Sequence, residues 1–234
     1  ISATGLPILG VISIAKAGSF QTLAGRVHSS FAIIFPCIVY VFIGPGLGIP
    51  RAGSLAFEMG PGQLFPEAGS GVLLFYTVIF FSIVYWLSLS PSKLMGLFGK
   101  VLTPLLLCMI ALIFIKSMFT TVGDMKEPIG NYGQAPMFQG FLDGYLTMDA
   151  LAALIFGIVI ANALRTKGIE DDKGLAKYMS IAGIGAGLLL SIIYVILGYV
   201  GAISGSLGTF DNGAKVLAQV MITLFGQGGV VLLG

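Results

Sequence analysis

The residues able to do chemistry gather in one stretch, Gly144-Tyr145-Leu146-Thr147-Met148-Asp149-Ala150-Leu151, where an aspartate and a threonine follow a glycine inside an apolar run. Asp149 and Asp143 are the acidic residues that this reading places within apolar segments. An ionised carboxylate at mid-bilayer costs roughly 2.5 to 3.5 kcal/mol or more, so it is retained beside a water-filled cavity, a bound cation or a partner on another helix. Gly140, Gly144, Thr147 and Asp149 make the outer half of the run 138–164 a poor helix, whereas Ala150–Leu164 is a good apolar one. At about 1.5 Å per residue the run reaches about 40 Å against a roughly 30 Å hydrocarbon core, which leaves length for an interruption. An unwound stretch exposes carbonyls to a small cation, and the helix start that follows it offers N–H groups to a carboxylate. That combination suits a zwitterionic amino acid.

In this reading Thr147 offers its hydroxyl and carbonyl to a cation, and Asp149 either caps the inner half-helix or helps to hold the cation. Met148 and Leu151 are candidates for an apolar pocket. The plainer alternatives are that Asp143 sits in water at the outer interface and that Asp149 only caps. No residue is assigned a catalytic role. His28 is the single histidine and lies in a connection, and Cys37 and Cys108 fall in apolar runs as small packing residues, so neither Cys nor His has metal-site spacing.

The elements that must position these residues follow from composition. Hydrophobic residues are 56% of the 234 and charged residues 9%, with a mean hydropathy of +1.00. A soluble domain carries roughly 25% charged residues and could not cover its surface with so few, so the chain is an integral membrane protein. The net charge of +2 implies no nucleic-acid partner. Apolar stretches lie near 1–15, 30–48, 71–89, 101–119, 138–164, 178–203 and 214–234, and are treated as one transmembrane helical domain. They are too long for the 9 to 11 alternating residues of a barrel strand, so they are helices. The absence of an initiator methionine and the apolar run at the end lead to the expectation of a fragment.

Eight of the twelve basic residues fall in one set of alternate connections, among them Lys16, Lys100, Arg165 and Lys177, which makes that side cytoplasmic. The 138–164 segment then enters from outside. Ser90 before Pro91 and, less clearly, Asn212 look like helix caps. "GPGLGIPRAGSLAFEMG" is either an outer loop or a continuation of the second segment past a kink at Pro50; Arg51 and Glu58, seven apart, either pair or leave Arg51 as an interfacial anchor. Gly183 and Gly187, like Gly140 and Gly144, are spaced for close helix approach. "GQGGVV" near the end lacks the lysine of a phosphate loop.

The stretches "GLPILGVISIA", "GPGLGIPRAGSLAFEMG", "LSLSPSKLMGLFGKVLTPLLL" and "GFLDGYLTMDALAALIFGIVIANALRTKG" resemble, in that order, the bacterial branched-chain amino acid:cation symporters, with "IPRA" and "GYLTMDALAALIFG" the most specific parts. The resemblance covers essentially the whole chain. It implies an all-α fold with a partial five-plus-five inverted repeat like that of the bacterial leucine transporter, with a broken helix near 144–150 equivalent to the sixth helix. The earlier segments would be helices two to five, and the later ones helix seven and the start of eight. It also implies import of leucine, isoleucine and valine across the bacterial inner (plasma) membrane by a multi-pass carrier that uses sodium or protons and no other cofactor. Gly144, Tyr145, Thr147, Met148, Asp149 and Ala150 would line the substrate site, with Thr147 and Asp149 at the cation. The first helix and most of the eighth are missing, so the chain would hold at most half a site and would not transport alone.

Two other classes fit the residues less well. An aspartyl intramembrane protease needs two facing carboxylates and a Gly-x-Gly-Asp setting, whereas Asp143 and Asp149 share one segment, and a serine type needs a base that His28 cannot supply from a loop. An ion channel or scaffold lacks support from a filter-like carbonyl loop or a ring-forming charge pattern.

Overall fold

The structure is a computed structural model that describes residues 2–64, 69–90, 96–120, 122–128, 130–208, 210, 212–226 and 228–229. It is all-α, with no strand among the described residues. In chain order the helices are α1 (Ser2–Ala17), α2 (Phe20–Gly25), α3 (Phe31–Val41), α4 (Gly48–Met59), α5 (Pro61–Leu64), α6 (Ser70–Ser88), α7 (Thr103–Phe119), α8 (Pro136–Leu146), α9 (Asp149–Arg165), α10 (Asp172–Ile203) and α11 (Gly213–Phe225). Wider π turns at Phe42–Gly46 and Phe98–Leu102 extend α3 and precede α7, and a 3-10 turn at Gly130–Gly133 precedes α8.

Four helical runs are long and apolar enough to cross a membrane: Phe31–Gln63, Ser70–Ser88, Phe98–Phe119 and Asp172–Ile203. The pair α8 and α9 makes a fifth if its bent halves count as one span. α6 shows why lipid is the fitting solvent. It buries none of its residues, and Leu74, Phe75 and Trp86 each expose about two thirds of their surface. A water-soluble protein rarely leaves so much contiguous apolar surface open. Cys37 and Cys108 are exposed on such faces.

The chain forms two compact units, each drawn from two separate stretches. The first comprises residues 1–48 and 127–194. Its core gathers Val11, Ile14 and Ala15 of α1 with Phe20, Val39, Ala161, Leu175 and Met179. α1 lies close along α9 because glycines remove side-chain bulk at the contact. A Cβ on Gly157 would stand 3.3 Å from Ile14, and one on Gly10 would stand 3.5 Å from the Ala150 carbonyl oxygen. Gly183 and Gly187 of α10 face Val11 and Ile8 in the same way, as the four-residue spacing suggests. At Gly187 the approach is so close that any side chain would displace Ile8.

The second unit comprises residues 49–126 and 195–234. Ile113, Val200, Val220 and Met221 centre its core. Gly53 of α4 sits against Phe80 and Phe81 of α6, and Phe57 and Tyr76 stack obliquely with ring centres 5.3 Å apart. Lys116, in the last turn of α7, places its ammonium 4.0 Å from the centre of the Phe225 ring, a cation–π contact that suits a charge with little water around it.

The Asn212 cap forms as expected, its side chain accepting from the Lys215 N–H at 3.0 Å. The cap expected at Ser90–Pro91 involves Pro91, outside the described residues, as do Gln227 and the last residues of "GQGGVV". "GPGLGIPRAGSLAFEMG" proves to be helix after a break: Gly44 leaves helical geometry, and α4 begins at Gly48, so Pro50 stands in a first turn where proline costs no hydrogen bond. Glu58 therefore lies on α4, toward the end of the helical run Phe31–Gln63. Glu58 pairs not with Arg51 but with Asn212, whose Nδ2 donates to its Oε2 at 3.0 Å.

Candidate functional site

The break between α8 and α9 arises from three adjacent residues. α8 ends at Leu146, Thr147 keeps helical angles, and Met148 turns left-handed at φ 60°. Met148 is the one non-glycine residue with positive φ among those described. The reversal bends the two halves by 43°. The Met148 carbonyl accepts from the Leu151 and Ala152 N–H groups at 3.0 and 3.1 Å and so starts α9. Met148 is thus the cap and Asp149 the first helical residue, which corrects the expectation that Asp149 itself caps. A carboxylate in the first turn still meets the positive end of the helix.

Asp149 is half-buried, and two hydroxyls lie within hydrogen-bond distance of its Oδ2. Tyr194 of α10 donates at 2.6 Å, and Thr147 Oγ1 lies at 3.0 Å. Thr147 Oγ1 also lies 2.7 Å from the Gly144 carbonyl oxygen. Among the described residues no donor is placed on Oδ1. The structure thus brings together Thr147, Asp149 and the Gly144 carbonyl, and adds Tyr194. Gly144 also carries the approach to α1: a Cβ there would stand 2.5 Å from Ser2 Oγ, which donates to the Phe141 carbonyl at 2.7 Å. Gly140 has open space beside it and takes no part in that approach. Ala150 and Leu151 are half-buried at the start of α9, while Met148 and Tyr145 are exposed, Tyr145 by 60%. Tyr145 is not among the residues that meet at Asp149.

Asp143 has a separate setting. The Tyr132 hydroxyl donates to its Oδ2 at 2.5 Å and Gln139 Nε2 to its Oδ1 at 3.0 Å. Asn131 in turn reaches Gln139 at 3.3 Å. The hydrogen bond to Asp143, with some desolvation and the neighbouring negative charge, raises the Tyr132 pKa above the ordinary tyrosine value. Both Asp143 oxygens are therefore engaged, and this carboxylate fastens the 3-10 turn to α8.

Sequence reasoning missed Tyr194, because a tyrosine within an apolar helix reads as packing, and nothing local links it to a residue 45 positions away. His28 has a structural role, its Nδ1 accepting from the Ser30 N–H at 3.2 Å. No group of three His, Cys, Asp or Glu side chains able to hold a metal occurs among the described residues. Oxygen donors of hydroxyl, carbonyl and carboxylate type, as at Thr147, Gly144 and Asp149, are of the kind that suits a hard cation or an ammonium group.

Comparison with known proteins gives this geometry a context. Residues 1–234 match the family model described as branched-chain amino acid transport protein. The chain is similar to branched-chain amino acid permease BraB of Bacillus subtilis strain 168, with 41% identity covering 100% of the chain and 53% of the relative. It is likewise similar to the branched-chain amino acid transport system 2 carrier protein of Pseudomonas aeruginosa, at 40% identity over 100% of the chain and 54% of that protein. Branched-chain amino acid permease BrnQ of Escherichia coli K12 is 35% identical over 100% of the chain and 53% of its own length. The chain spans about half the length of the curated relatives it matches. No solved structure gives a significant match. Permeases and carriers are transporters rather than enzymes, and with the apolar helices they mark a multi-pass bacterial membrane protein. The chain belongs to the branched-chain amino acid transport protein family.

Proposed function

We propose that the full-length protein carrying this chain is a secondary active transporter that imports leucine, isoleucine and valine, coupled to sodium or protons, with its ligand site at the break between α8 and α9. The observation that carries this reading is the half-buried Asp149 carboxylate, held by Thr147 and Tyr194 where a left-handed Met148 interrupts an apolar span. Half-helix ends of this kind bind the charged groups of amino acids and their coupling ions in carriers that rock one bundle against another. Thr147 and Asp149 would meet the cation, and Gly144, Tyr145, Met148 and Ala150 would line the substrate path. The five-plus-five inverted repeat, with α8 and α9 as its sixth helix, belongs to the same proposal. Met148 and Leu151 would present apolar surface to the aliphatic side chain, and such contacts separate substrates that differ by one methylene by only about 1 to 3 kcal/mol.

Uptake of labelled leucine into proteoliposomes by the full-length protein, with and without a sodium gradient, tests the proposal. A hydrogen-bonded charge is worth about 1.5 to 3 kcal/mol, so Asp149→Asn is expected to weaken cation dependence about tenfold or more, and Thr147→Ala to a lesser degree. Normal transport by both inserted variants would place the site elsewhere.

A further inference from the structure

Thr147 has one hydroxyl proton and, besides the neighbouring Tyr194 hydroxyl, two acceptors within reach, the Gly144 carbonyl at 2.7 Å and Asp149 Oδ2 at 3.0 Å. A hydroxyl donates once, and neither acceptor can donate back when the carboxylate is ionised. The shorter contact is the turn bond at the end of α8, so the threonine proton is drawn away from Asp149. The Tyr194 hydroxyl lies near the Thr147 hydroxyl as well, and its own proton goes to Asp149 Oδ2. Its 2.6 Å separation from Oδ2 lies in the range of charge-assisted O–H to carboxylate bonds. Tyr194 is the residue that brings a proton to Asp149 from another helix, and its ring is half-buried and fixed on α10.

We propose that Tyr194 is a positioning residue for the break: its hydroxyl holds Asp149 Oδ2 so that Oδ1 and the Thr147 oxygen are presented to a positively charged group. That group is either the α-ammonium of the transported amino acid or the coupling cation. The proposal rests on the reading of the break as the ligand site and adds a residue and a division of labour to it. With Oδ2 committed to a phenol and the threonine proton committed to a carbonyl, the remaining lone pairs form an acceptor face. A side chain lacking the hydroxyl donor would free the carboxylate to rotate and to draw the Thr147 proton off Gly144. The face would then lose its acceptor pattern while the helices kept their packing.

Tyr194→Phe removes the hydroxyl alone. In the full-length protein the expected result is a rise of about tenfold in the half-saturating concentration of leucine or of sodium, consistent with loss of one bond to a charged group, with the maximal rate within about twofold of wild type. Which concentration moves identifies the source of the positive charge: leucine for the ammonium, sodium for the cation. In an Asp149→Asn background the same substitution should add little, because the partner it positions has been altered. Leucine-dependent and sodium-dependent shifts of the thermal midpoint give the same comparison on the folded fraction alone, so a lowered yield does not blunt the test. If Asp149→Asn is impaired and Tyr194→Phe is not, or if Tyr194→Phe costs the same factor in both backgrounds, the positioning role is overturned and the site reading stands. If Asp149→Asn itself changes neither half-saturating concentration, the site reading fails and this proposal with it.

Discussion

Met148 holds a left-handed backbone, a conformation that costs an ordinary L-residue about 1 to 2 kcal/mol and that glycine adopts freely. Met148→Gly is accordingly expected to leave the break in place and to raise the thermal midpoint of the full-length protein slightly. Met148→Val, branched at Cβ, should lower it, because the left-handed region is hardest for such side chains. Equal midpoints for the two variants would mean that the turn is not held in this conformation. The two aspartates of the same segment look alike in the sequence, and only their partners separate them. Asp143 has a donor on each oxygen, Tyr132 and Gln139, whereas Asp149 has both of its contacts on Oδ2. The first is a fastening within α8 and the turn before it; the second keeps an oxygen open.

At the scale of elements, the helices were legible because apolar runs near 20 residues have few alternatives in a chain this poor in charge. The interruption between α8 and α9 was legible from Thr147 and Asp149 in a run with surplus length, whereas Gly140 and Gly144, expected to make the outer half a poor helix, lie within the regular helix α8. The exact pivot of the interruption was not legible, since methionine is a good helix former and nothing local marks Met148 as left-handed. Glu58 sits on a stretch whose residues leave a loop and a helix past a Pro50 kink both open, because Gly44, Pro45 and Pro50 interrupt a helix while proline in a first turn is compatible with the one that follows. Its partner provides the test at this scale. Asn212 both caps α11 and donates to Glu58, so Asn212→Ala should destabilise by more than the roughly 1 kcal/mol of a lost cap. Asn212→Asp keeps the cap acceptor but sets a carboxylate against Glu58. Thermal unfolding should rank it below Asn212→Ser, and the reverse order would remove Glu58 from the account.

For the whole molecule, carrier and pore differ in what a filled far side does. A carrier that presents one site alternately is accelerated by unlabelled substrate in the opposite compartment, so preloading proteoliposomes of the full-length protein with leucine should stimulate entry of labelled leucine. An open pore would show no such stimulation. The left-handed turn at Met148 also has a meaning for how the chain is made. α8 has 11 residues and α9 has 17, which at about 1.5 Å per residue gives about 16 Å and about 25 Å, each short of the roughly 30 Å hydrocarbon core. The shorter half cannot anchor the growing chain in a membrane, and the longer one only just reaches the about 17 residues of a minimal span, so the two would insert as one unit.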